Sequence, residues 1–425
     1  MTAQYIPRVV EPVIDEVMAE VAAIALDGPK AVGKTATARR RAHTVFTLDK
    51  ARVREAFGNA TDPLGSAPAP ILLDEWQYAP EVWNEVRRAV DDGAEPGRFI
   101  LAGSAAPPGA AIHSGAGRIA RVRLRPFSLA ERGLARPVVS LAEALNGSLG
   151  LVEGATSVSF EDYAQEIAAS GFPGIRPLSA RVRRGQLEGY VDGIVHKEFA
   201  EQGLRVRRPD TLRRWLRALA AATATTAGYS AILDAASAGE ANKPAASTTI
   251  AYRDVLSSLW MLDQVPAWDP AGTSIKRLAQ TPKHFLADPA FAALLLGLDE
   301  ETLTAGPPEP LFGPAYGSIA GRLFEALVAL SLQAYATACG AKVSYLRTRD
   351  GSHEVDFIVQ RGRRIVAVEV KLTRGVDDAT VRHLTWLRER LGPALTEAMV
   401  ITTGPDAYRR KSDGVIVLPA ALLGP

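Results

Sequence analysis

The sequence of 425 residues contains a single cysteine, Cys339, and has no basic segment followed by an apolar one near its start. One cysteine can form neither a disulfide nor a cysteine zinc site within the chain, which favours a reducing compartment. The first residues lack the pattern of a signal peptide. No apolar run reaches about 18 residues, so we expect no membrane-spanning helix. Together these features predict a cytoplasmic protein.

The chain also lacks an excess of charge of either sign. Its 49 lysines and arginines face 47 aspartates and glutamates, which leaves a net charge of +2. This balance neither requires nor excludes nucleic acid as a partner, and any basic surface would have to be local. Hydrophobic residues make up 47% of the chain, which is enough for folded cores. The length favours two or three domains.

Residues 28–35, Gly-Pro-Lys-Ala-Val-Gly-Lys-Thr, have the G-x-x-x-x-G-K-[ST] spacing of a phosphate-binding loop. The sequence predicts a strand at 21–27 before the loop and a helix start at 36–42 after it. The glycines let backbone N–H groups turn towards a phosphate, and the helix N-terminus adds partial positive charge. Lys34 would neutralise the β- and γ-phosphates, and the Thr35 hydroxyl would bind Mg²⁺. The residues expected to contact the nucleotide are Gly28, Pro29, Lys30, Ala31, Val32, Gly33, Lys34, Thr35 and Ala36.

Two further predicted strands end in polar residues. Residues 71–75, Ile-Leu-Leu-Asp-Glu, form an apolar strand that ends in two acids, and buried parallel strands end at the crevice where a phosphate loop opens. There Asp74 would hold the Mg²⁺ shell, and Glu75 would polarise the attacking water. Residues 98–104 predict another strand, which ends at Ser104.

Arginines alternate with apolar residues at 117–125, which places the arginines on one face of a strand. Two interpretations stay open. The arginines form an exposed strand face, or Arg118 or Arg121 approaches a γ-phosphate in its own subunit or in a neighbouring one.

Five stretches of the sequence resemble a large prokaryotic family. They are the phosphate loop, Leu-Leu-Asp-Glu-Trp-Gln at 72–77, Ala-Pro at 79–80, Phe-Ile-Leu-Ala-Gly-Ser at 99–104 and Gly-Arg…Pro-Phe-Ser-Leu at 117–129. Its members are AAA-superfamily ATPases with a restriction-endonuclease-like C-terminal domain, and most have no assigned cellular role. The resemblance covers nearly the whole chain. It implies that Ser104 senses the γ-phosphate and helps to place the water; a turn serine is the alternative. The guanine-specifying motif Asn-Lys-x-Asp does not follow, since Asn242-Lys243-Pro244-Ala245 departs from it, so ATP is favoured over GTP.

Residues 141–310 carry no strong catalytic pattern. Helices predicted at about 178–200, 210–224, 230–238 and 247–259, with a wing at 266–268 and 276–279, are similar to a winged helix. Its would-be recognition helix offers one arginine and one aspartate, which favours a structural or oligomer-packing role over DNA binding. Residues 283–289, Lys-His-Phe-Leu-Ala-Asp-Pro, are expected to pack this unit without a catalytic part. Residues 306–314 are rich in proline and glycine and predict a linker.

The last third contains a second candidate site. A strand at 352–359, a turn at 361–363 and a returning strand at 364–372 bring Asp356 near Glu369 and Lys371, which share a strand face. With Glu325 from a helix at 317–336, these residues have the PD-(D/E)XK nuclease pattern. Asp356 and Glu369 would bind Mg²⁺, Lys371 would position or deprotonate water, and Glu325 would complete the metal shell. The alternative is a structural hairpin with solvated charges.

We therefore predict an α/β protein in three parts. A P-loop AAA-type ATPase domain covers 1–140, a helical and winged-helix-like domain 141–310, and a PD-(D/E)XK nuclease-like domain 311–425. The expected cofactors are ATP and Mg²⁺. Two functions stay open: an ATPase whose nucleotide state controls a nucleic-acid-processing domain, or an ATP-gated regulatory or scaffold protein with a non-cleaving fold. The expected partners are DNA or RNA and further copies of the chain, but no membrane.

Overall fold

The computed structural model describes residues 5–104, 116–238, 244–270, 280–305, 313–348 and 350–425. Its amino-terminal part alternates helices with short strands, as the apolar runs of the sequence predict. The elements in chain order are α1 Glu11–Glu20, β1 Ala23–Asp27, α2 Lys34–Arg39, β2 Thr44–Thr47, α3 Ala51–Asn59, β3 Ile71–Asp74, α4 Glu81–Asp91, β4 Phe99–Ala102 and β5 Ile119–Arg123.

Strands β1 to β5 form a five-stranded parallel sheet in the order β2-β3-β4-β1-β5. The side chains of β1 alternate between the two faces, because successive residues of a strand point in opposite directions. Ile24 belongs to the core that includes Ile14 of α1. Ala25 belongs to a separate core that includes Trp83 of α4. Helices thus cover both faces, and the predicted α/β fold with a parallel sheet is confirmed.

The middle of the chain is mainly helical. Short antiparallel bridges pair Leu262 with Leu286 and Val265 with Lys283. The predicted wing residues 276–279 and most of the predicted linker 306–314 lie outside the described residues. The elements from 129 to 305 are α5 Leu129–Arg132, β6 Val139–Ser140, α6 Leu141–Asn146, β7 Glu153–Ala155, α7 Phe160–Ala169, α8 Ala180–Gly193, a π-helix Ile194–Glu198, α9 Phe199–Glu201, α10 Pro209–Ala221, α11 Tyr229–Ala236, α12 Ala246–Ser258, α13 Pro289–Leu296 and α14 Glu300–Ala305.

The last part of the chain builds a second sheet. Its strands lie in the order β7-β12-β13-β11-β10-β9-β8. β9 pairs antiparallel with β8 and with β10, while β11 is parallel to β10. The elements are α15 Gly313–Ala338, β8 Lys342–Arg347, β9 Glu354–Arg361, β10 Arg364–Val370, α16 Asp378–Leu391, β11 Leu395–Thr402, β12 Asp406–Arg409, β13 Ile416–Pro419 and β14 Leu423–Gly424.

Residues 319–338 of α15 are long and apolar enough to cross a membrane by length and composition, but 78% of the tested window is buried inside the protein. Leu323, Phe324 and Leu327 of this helix belong to the same core as Phe357 of β9. The helix therefore packs as the core helix of a folded domain does, and its apolarity is weak evidence for a membrane span.

Residues 139–155 pack against the carboxyl-terminal part of the chain, although the sequence predicts that 141–155 belong to the middle domain. β6 pairs with β14, and β7 pairs with β12 and forms the edge of the second sheet. Asn146, at the end of α6, accepts a hydrogen bond from Arg364 Nη1 at 2.8 Å. The chain thus contributes to the second sheet before it forms the helices of the middle part.

Candidate nucleotide-binding site and carboxyl-terminal acidic cluster

The phosphate loop begins at the carboxyl end of β1 and depends on glycine at two positions. Gly28 has φ +145° and Gly33 has φ +107°, which side chains rarely adopt. A Cβ atom on Gly28 would lie 2.3 Å from the backbone oxygen of Leu124, just after β5. Glycine therefore lets the loop lie directly against the backbone that follows β5.

Lys34 is a buried charged residue of the phosphate loop. Its Nζ donates hydrogen bonds to the carbonyl oxygens of Gly28 at 2.7 Å and Pro29 at 2.8 Å. Only 6% of the residue is exposed, and this burial lowers the pKa of the amine to about 8. The amine is thus held in the loop that would surround a phosphate.

Thr35, in the first turn of α2, comes together with Asp74, the last residue of β3. The Thr35 hydroxyl donates a hydrogen bond to Asp74 Oδ1 at 2.7 Å, and Arg39 Nη2 lies 3.8 Å from Asp74 Oδ2. Asp74 is 4% exposed, and burial raises the pKa of its carboxyl group. A hydroxyl and a carboxylate oxygen are hard oxygen donors, so this pair fits a Mg²⁺ ion.

Glu75 follows in a strained conformation. Its φ of +57° lies in the left-handed region, which non-glycine residues adopt mainly where the surrounding structure imposes it. The Glu75 N–H donates to Ala102 O at 2.7 Å, and Gln77 Nε2 donates to Glu75 Oε2 at 2.5 Å. A Cβ atom on Gly103 would lie 2.5 Å from Gln77 Oε1. The turn after β3 is therefore fixed against the end of β4.

Ser104 lies just beyond β4, between the strands that carry the phosphate loop and Asp74. It is 5% exposed, and its Oγ atom has no hydrogen-bond partner among the described residues. With Lys30 and Tyr190 it lines a cavity of about 260 Å³. The hydroxyl is thus available beside the loop rather than engaged in a turn, as a turn serine would be.

Arg118 is not brought to the phosphate loop of its own chain. It precedes Ile119, which pairs with Ala23 at the amino end of β1, whereas the loop follows the carboxyl end. Its Nε atom lies 2.9 Å from Asp91 Oδ1, in an exposed ion pair. The strand register therefore separates Arg118 from the loop by the length of β1.

The other arginines of residues 117–125 are paired with acids. Arg121 donates to both carboxylate oxygens of Asp27 at 2.7 and 3.0 Å. Arg123 and Arg125 both contact Asp263, at 2.8 and 2.6 Å. Asp263 is only 3% exposed, and although burial opposes its ionisation, the two guanidinium groups lower its pKa. The predicted basic face is therefore largely neutralised, and it joins β5 to the middle part of the chain.

Two contacts of the phosphate loop are absent from the sequence-based expectations. Arg8 is 5% exposed, and it donates to Val32 O at 3.0 Å and to Glu131 Oε1 at 2.9 Å. Lys30 forms an ion pair with Glu198, the last residue of the π-helix. Neither contact follows from a motif, since the partners are distant in sequence, and a basic residue inside an apolar run was the only signal for Arg8.

The four residues of the predicted second site lie at one end of the second sheet. Phe357 of β9 pairs with Val368 of β10. Asp356 precedes Phe357 and Glu369 follows Val368, so the two acids lie on neighbouring strands just past this pair. The Val370 N–H donates to Asp356 Oδ2 at 3.0 Å, and Lys371 Nζ lies 2.7 Å from Glu369 Oε1. Burial raises the pKa of Glu369.

A fifth residue, Lys283, occupies the centre of this cluster. Its Nζ atom lies 2.8 Å from Asp356 Oδ1 and 3.0 Å from Glu325 Oε1, and the residue is 2% exposed. Burial raises the pKa of Glu325. Burial also opposes the ionisation of Asp356, but the two lysine ammonium groups outweigh it and lower the pKa of that carboxyl.

The cluster does not fit a divalent metal ion in this arrangement. The oxygens of Asp356 and Glu325 that a metal would use accept hydrogen bonds from an ammonium group instead. Glu369 Oε2 is buried without a partner, but the other oxygen of Glu369 accepts a hydrogen bond from Lys371 Nζ at 2.7 Å. Among the described residues no group of three or more histidine, cysteine, aspartate or glutamate side chains is arranged to hold a metal.

Family comparisons agree with the geometry of the first site. Residues 20–132 match the model of the AAA domain family, and they contain the loop, Asp74, Glu75 and Ser104. This match supports a P-loop AAA-type ATPase domain at residues 20–132. Residues 160–302 and 320–423 match two families described as domains of unknown function, DUF8612 and DUF4143.

Two similar proteins are uncharacterised proteins of Mycobacterium tuberculosis (strain H37Rv) and Mycobacterium bovis. Each is 26% identical over 357 residues, which cover 82% of this chain and 70% of the relative. The similarity thus extends beyond the ATPase domain.

Two solved structures show a weaker likeness. A Walker-type ATPase of Pyrococcus abyssi is 15% identical, with a TM-score of 0.39 over 67% of this chain and 94% of the other. The ORC2 protein of Aeropyrum pernix, in ADPNP-ADP complexes, is 13% identical, with a TM-score of 0.30 over 70% of this chain and 95% of the other. We draw no conclusion from likenesses at this level.

Proposed function

We propose that the amino-terminal domain binds ATP with Mg²⁺ and hydrolyses it. The single observation that carries the proposal is the hydrogen bond of 2.7 Å between Thr35 Oγ1 and Asp74 Oδ1. It joins the hydroxyl that follows the phosphate loop to the acid at the end of β3, the two groups that hold Mg²⁺ in P-loop ATPases. The pattern of a phosphate loop alone predicts only a bound phosphate, whereas this pairing also supports magnesium-dependent chemistry.

Each residue has a distinct role in this proposal. Lys34 turns from the loop carbonyls to the β- and γ-phosphates, and Thr35 and Asp74 hold the metal shell. Glu75 orients a water molecule and accepts its proton, and Ser104 holds the γ-phosphate or that water. Mg²⁺, when bound, supplies charge neutralisation on the phosphates. Arg118 has no role within its own chain, and a role towards a neighbouring subunit stays a prediction.

Two variants test this proposal. Lys34→Ala removes a charged hydrogen-bond donor, so we expect ATP affinity to fall by roughly 10- to 100-fold. Glu75→Gln keeps the shape but loses the base, so binding should persist while phosphate release falls by about 100-fold or more. Exposed Lys50, changed to alanine, is the control and should behave as wild type. Hydrolysis at the wild-type rate in Lys34→Ala or Glu75→Gln would remove this proposal.

For the carboxyl-terminal domain we propose the nuclease-like fold with a regulatory or scaffold role and no cleavage. The order of the elements supports the nuclease-like fold: helix α15 is followed by the antiparallel strands β8, β9 and β10, then by helix α16 and by strand β11, which is parallel to β10. The contact of Lys283 with Asp356 favours the non-cleaving alternative over a metal-dependent nuclease. ATP binding at the first domain would then control what this domain binds, through the contacts between them.

Labelled DNA and RNA, incubated with the protein, ATP and Mg²⁺ or Mn²⁺, separate these alternatives. We expect no cleavage by the wild type. Cleavage that is lost in Lys371→Ala but kept in Lys34→Ala would establish the nuclease instead. Four further points stay predictions: that the protein binds nucleic acid, that its middle part contains a winged helix, that it forms a homo-oligomer, and that its domains cover 1–140, 141–310 and 311–425.

A further inference from the structure

Lys283 reaches the acidic cluster from a segment whose backbone is fixed. Its N–H donates to Val265 O at 2.9 Å, and the Val265 N–H donates to Lys283 O at 3.1 Å. The next side chain, His284, contacts Ala227 O at 2.7 Å. These hydrogen bonds fix the backbone from which the lysine extends, and the contacts of its buried Nζ atom with two carboxylates hold the side chain.

Two lysines contact the three carboxylates of the cluster. Lys283 contacts Asp356 and Glu325, and Lys371 contacts Glu369 at 2.7 Å. Each carboxylate therefore has an ammonium partner. Taking an ammonium group out of water is costly unless it is paired and hydrogen-bonded, and Lys283 at 2% exposure satisfies both conditions.

A divalent metal and this lysine compete for the same atoms. A metal ligated by Asp356 and Glu325 would need oxygens that already accept hydrogen bonds from Lys283 at 2.8 and 3.0 Å. The ammonium group would then lie next to a dication without water between them, where the two charges repel strongly. The lysine must leave before a metal can bind.

We propose that Lys283 is the resident cation of this cluster, in the place where a nuclease of this fold would hold a divalent metal, and that it closes the site to metal ions. The inference rests on the proposed nuclease-like fold but not on ATP hydrolysis. It assigns a role to a residue that no motif of the catalytic pattern includes.

Manganese binding to the full-length, nucleotide-free protein tests this inference, measured by electron paramagnetic resonance. We compare wild type, Lys283→Met, Asp356→Asn and the double variant Lys283→Met/Asp356→Asn, with Lys342→Met as a matched control at an exposed lysine of β8. Asp74→Asn identifies any manganese held at the phosphate loop. We expect one manganese site to appear in Lys283→Met, to disappear in the double variant, and to be absent from wild type and Lys342→Met.

If Lys283→Met is poorly folded, its melting temperature with and without manganese tests the inference in place of the binding measurement. Removing the lysine leaves uncompensated carboxylates, so the single variant should melt below wild type, and manganese should raise its melting temperature but not that of wild type. The double variant should recover part of the loss, because the charge is balanced again.

Three results would overturn the inference: a manganese site in wild type that Asp356→Asn removes, a Lys283→Met variant that melts as wild type does and binds no manganese, and a double variant that recovers none of the lost stability. Metal-dependent nucleic-acid cleavage by the wild type that is lost in Lys371→Ala would contradict both the proposed non-cleaving role and this inference, whereas loss of ATP binding would leave the lysine result unaffected.

Discussion

Gly103 controls how closely β4 approaches the turn that carries Trp76 and Gln77. A Cβ atom there would lie 2.5 Å from Gln77 Oε1 and 2.6 Å from Trp76 Nε1. Such overlaps require the side chains of Trp76 and Gln77 to shift, and Gln77 donates a hydrogen bond to the carboxylate of Glu75. Glycine at this position therefore supports the placement of the proposed water-activating residue.

We predict that Gly103→Ala lowers ATP hydrolysis more than ATP binding and destabilises the protein by about 1–3 kcal/mol. The matched control is Gly58→Ala in helix α3, where nothing lies within 4 Å of the added Cβ atom. That control should be neutral or slightly stabilising. Phosphate release, nucleotide affinity and urea unfolding measure the three effects, and equal behaviour of both variants would contradict the prediction.

His284 makes stability depend on pH. Its Nε2 atom faces Ala227 O at 2.7 Å, which assigns the proton to that nitrogen, and Nδ1 faces Gln264 Nε2 at 3.2 Å. Burial lowers the pKa of this imidazole below its ordinary value of 6.5. The unfolded chain therefore binds a proton first as the pH falls, so the contribution of His284 is complete above pH 6.5 and is lost below it.

We predict that the free energy of unfolding of wild type falls below pH 6.5 by up to about 1.4 kcal/mol per pH unit more than that of His284→Gln, until the folded imidazole is protonated. Urea unfolding between pH 5 and 7.5 measures the difference. Exposed His43, changed to glutamine, is the control and should follow the wild-type curve. Parallel curves for wild type and His284→Gln would refute the assignment.

Sequence patterns find the residues of each site that lie within one motif or one hairpin, but not those contributed by distant segments. Lys34 and Thr35 lie within one motif, and Asp74 follows an apolar strand, so local pattern is enough to find them. Lys283 lies far along the chain from Glu325 and Asp356, and nothing local distinguishes it from a surface lysine. Only the tertiary fold reveals that it is buried.

At the level of elements, the N-terminus of α13 is joined to the loop before α8. Asp288 caps this helix by accepting from Ala290 N at 2.9 Å. Its other oxygen accepts from Ser170 Oγ at 2.9 Å and from Gly171 N at 2.6 Å. Asp288 is 0% exposed, so one buried carboxylate satisfies three donors from two segments.

We predict that Asp288→Ala destabilises the protein by about 2–4 kcal/mol, because it removes a helix cap and leaves buried donors without an acceptor. Asp377→Ala is the matched control: Asp377 caps α16 by accepting from Thr380 N at 2.8 Å, but it is exposed. Water can replace that acceptor, so the control should lose less stability. Chemical unfolding of both variants gives the comparison, and equal losses would count against the role assigned to Asp288.

The elements also show where prediction from sequence ends. The helix predicted at 230–238 is Tyr229–Ala236, because its apolar periodicity is local. The helix predicted at 178–200 ends as α8 at Gly193 and continues as a π-helix, Ile194–Glu198, which no residue pattern announces. Strand β7 has three residues and pairs with β12, some 250 positions later. A strand so short has no periodicity to detect, and only its partner defines it.

At the scale of the whole molecule, one hydrophobic core runs through all three predicted parts. It includes Ile14 of α1, Trp215 of α10 and Ile416 of β13. Polar contacts follow the same course: Ala130 N donates to Tyr335 OH at 2.9 Å, between α5 and α15. The three parts are therefore continuous in packing, although they match separate families.

We predict that the full chain unfolds in one cooperative transition in differential scanning calorimetry, because no part can unfold without exposing the shared core. A non-hydrolysable ATP analogue with Mg²⁺ should raise the temperature of that whole transition. Lys34→Ala, which should bind the analogue weakly, is the control. Two resolved transitions, of which ATP shifts only the first, would show that the parts are independent.

The position of Lys283 has a consequence for any experiment that cuts this chain into pieces. A fragment that begins at residue 320, where the last family match begins, would keep Glu325, Asp356 and Glu369 but lose the lysine that neutralises two of them. It would also lose β7, the strand that covers the edge of β12. Such a fragment could acquire metal from its buffer and even an activity that the intact protein does not have, so its behaviour would describe the excision and not the parent molecule.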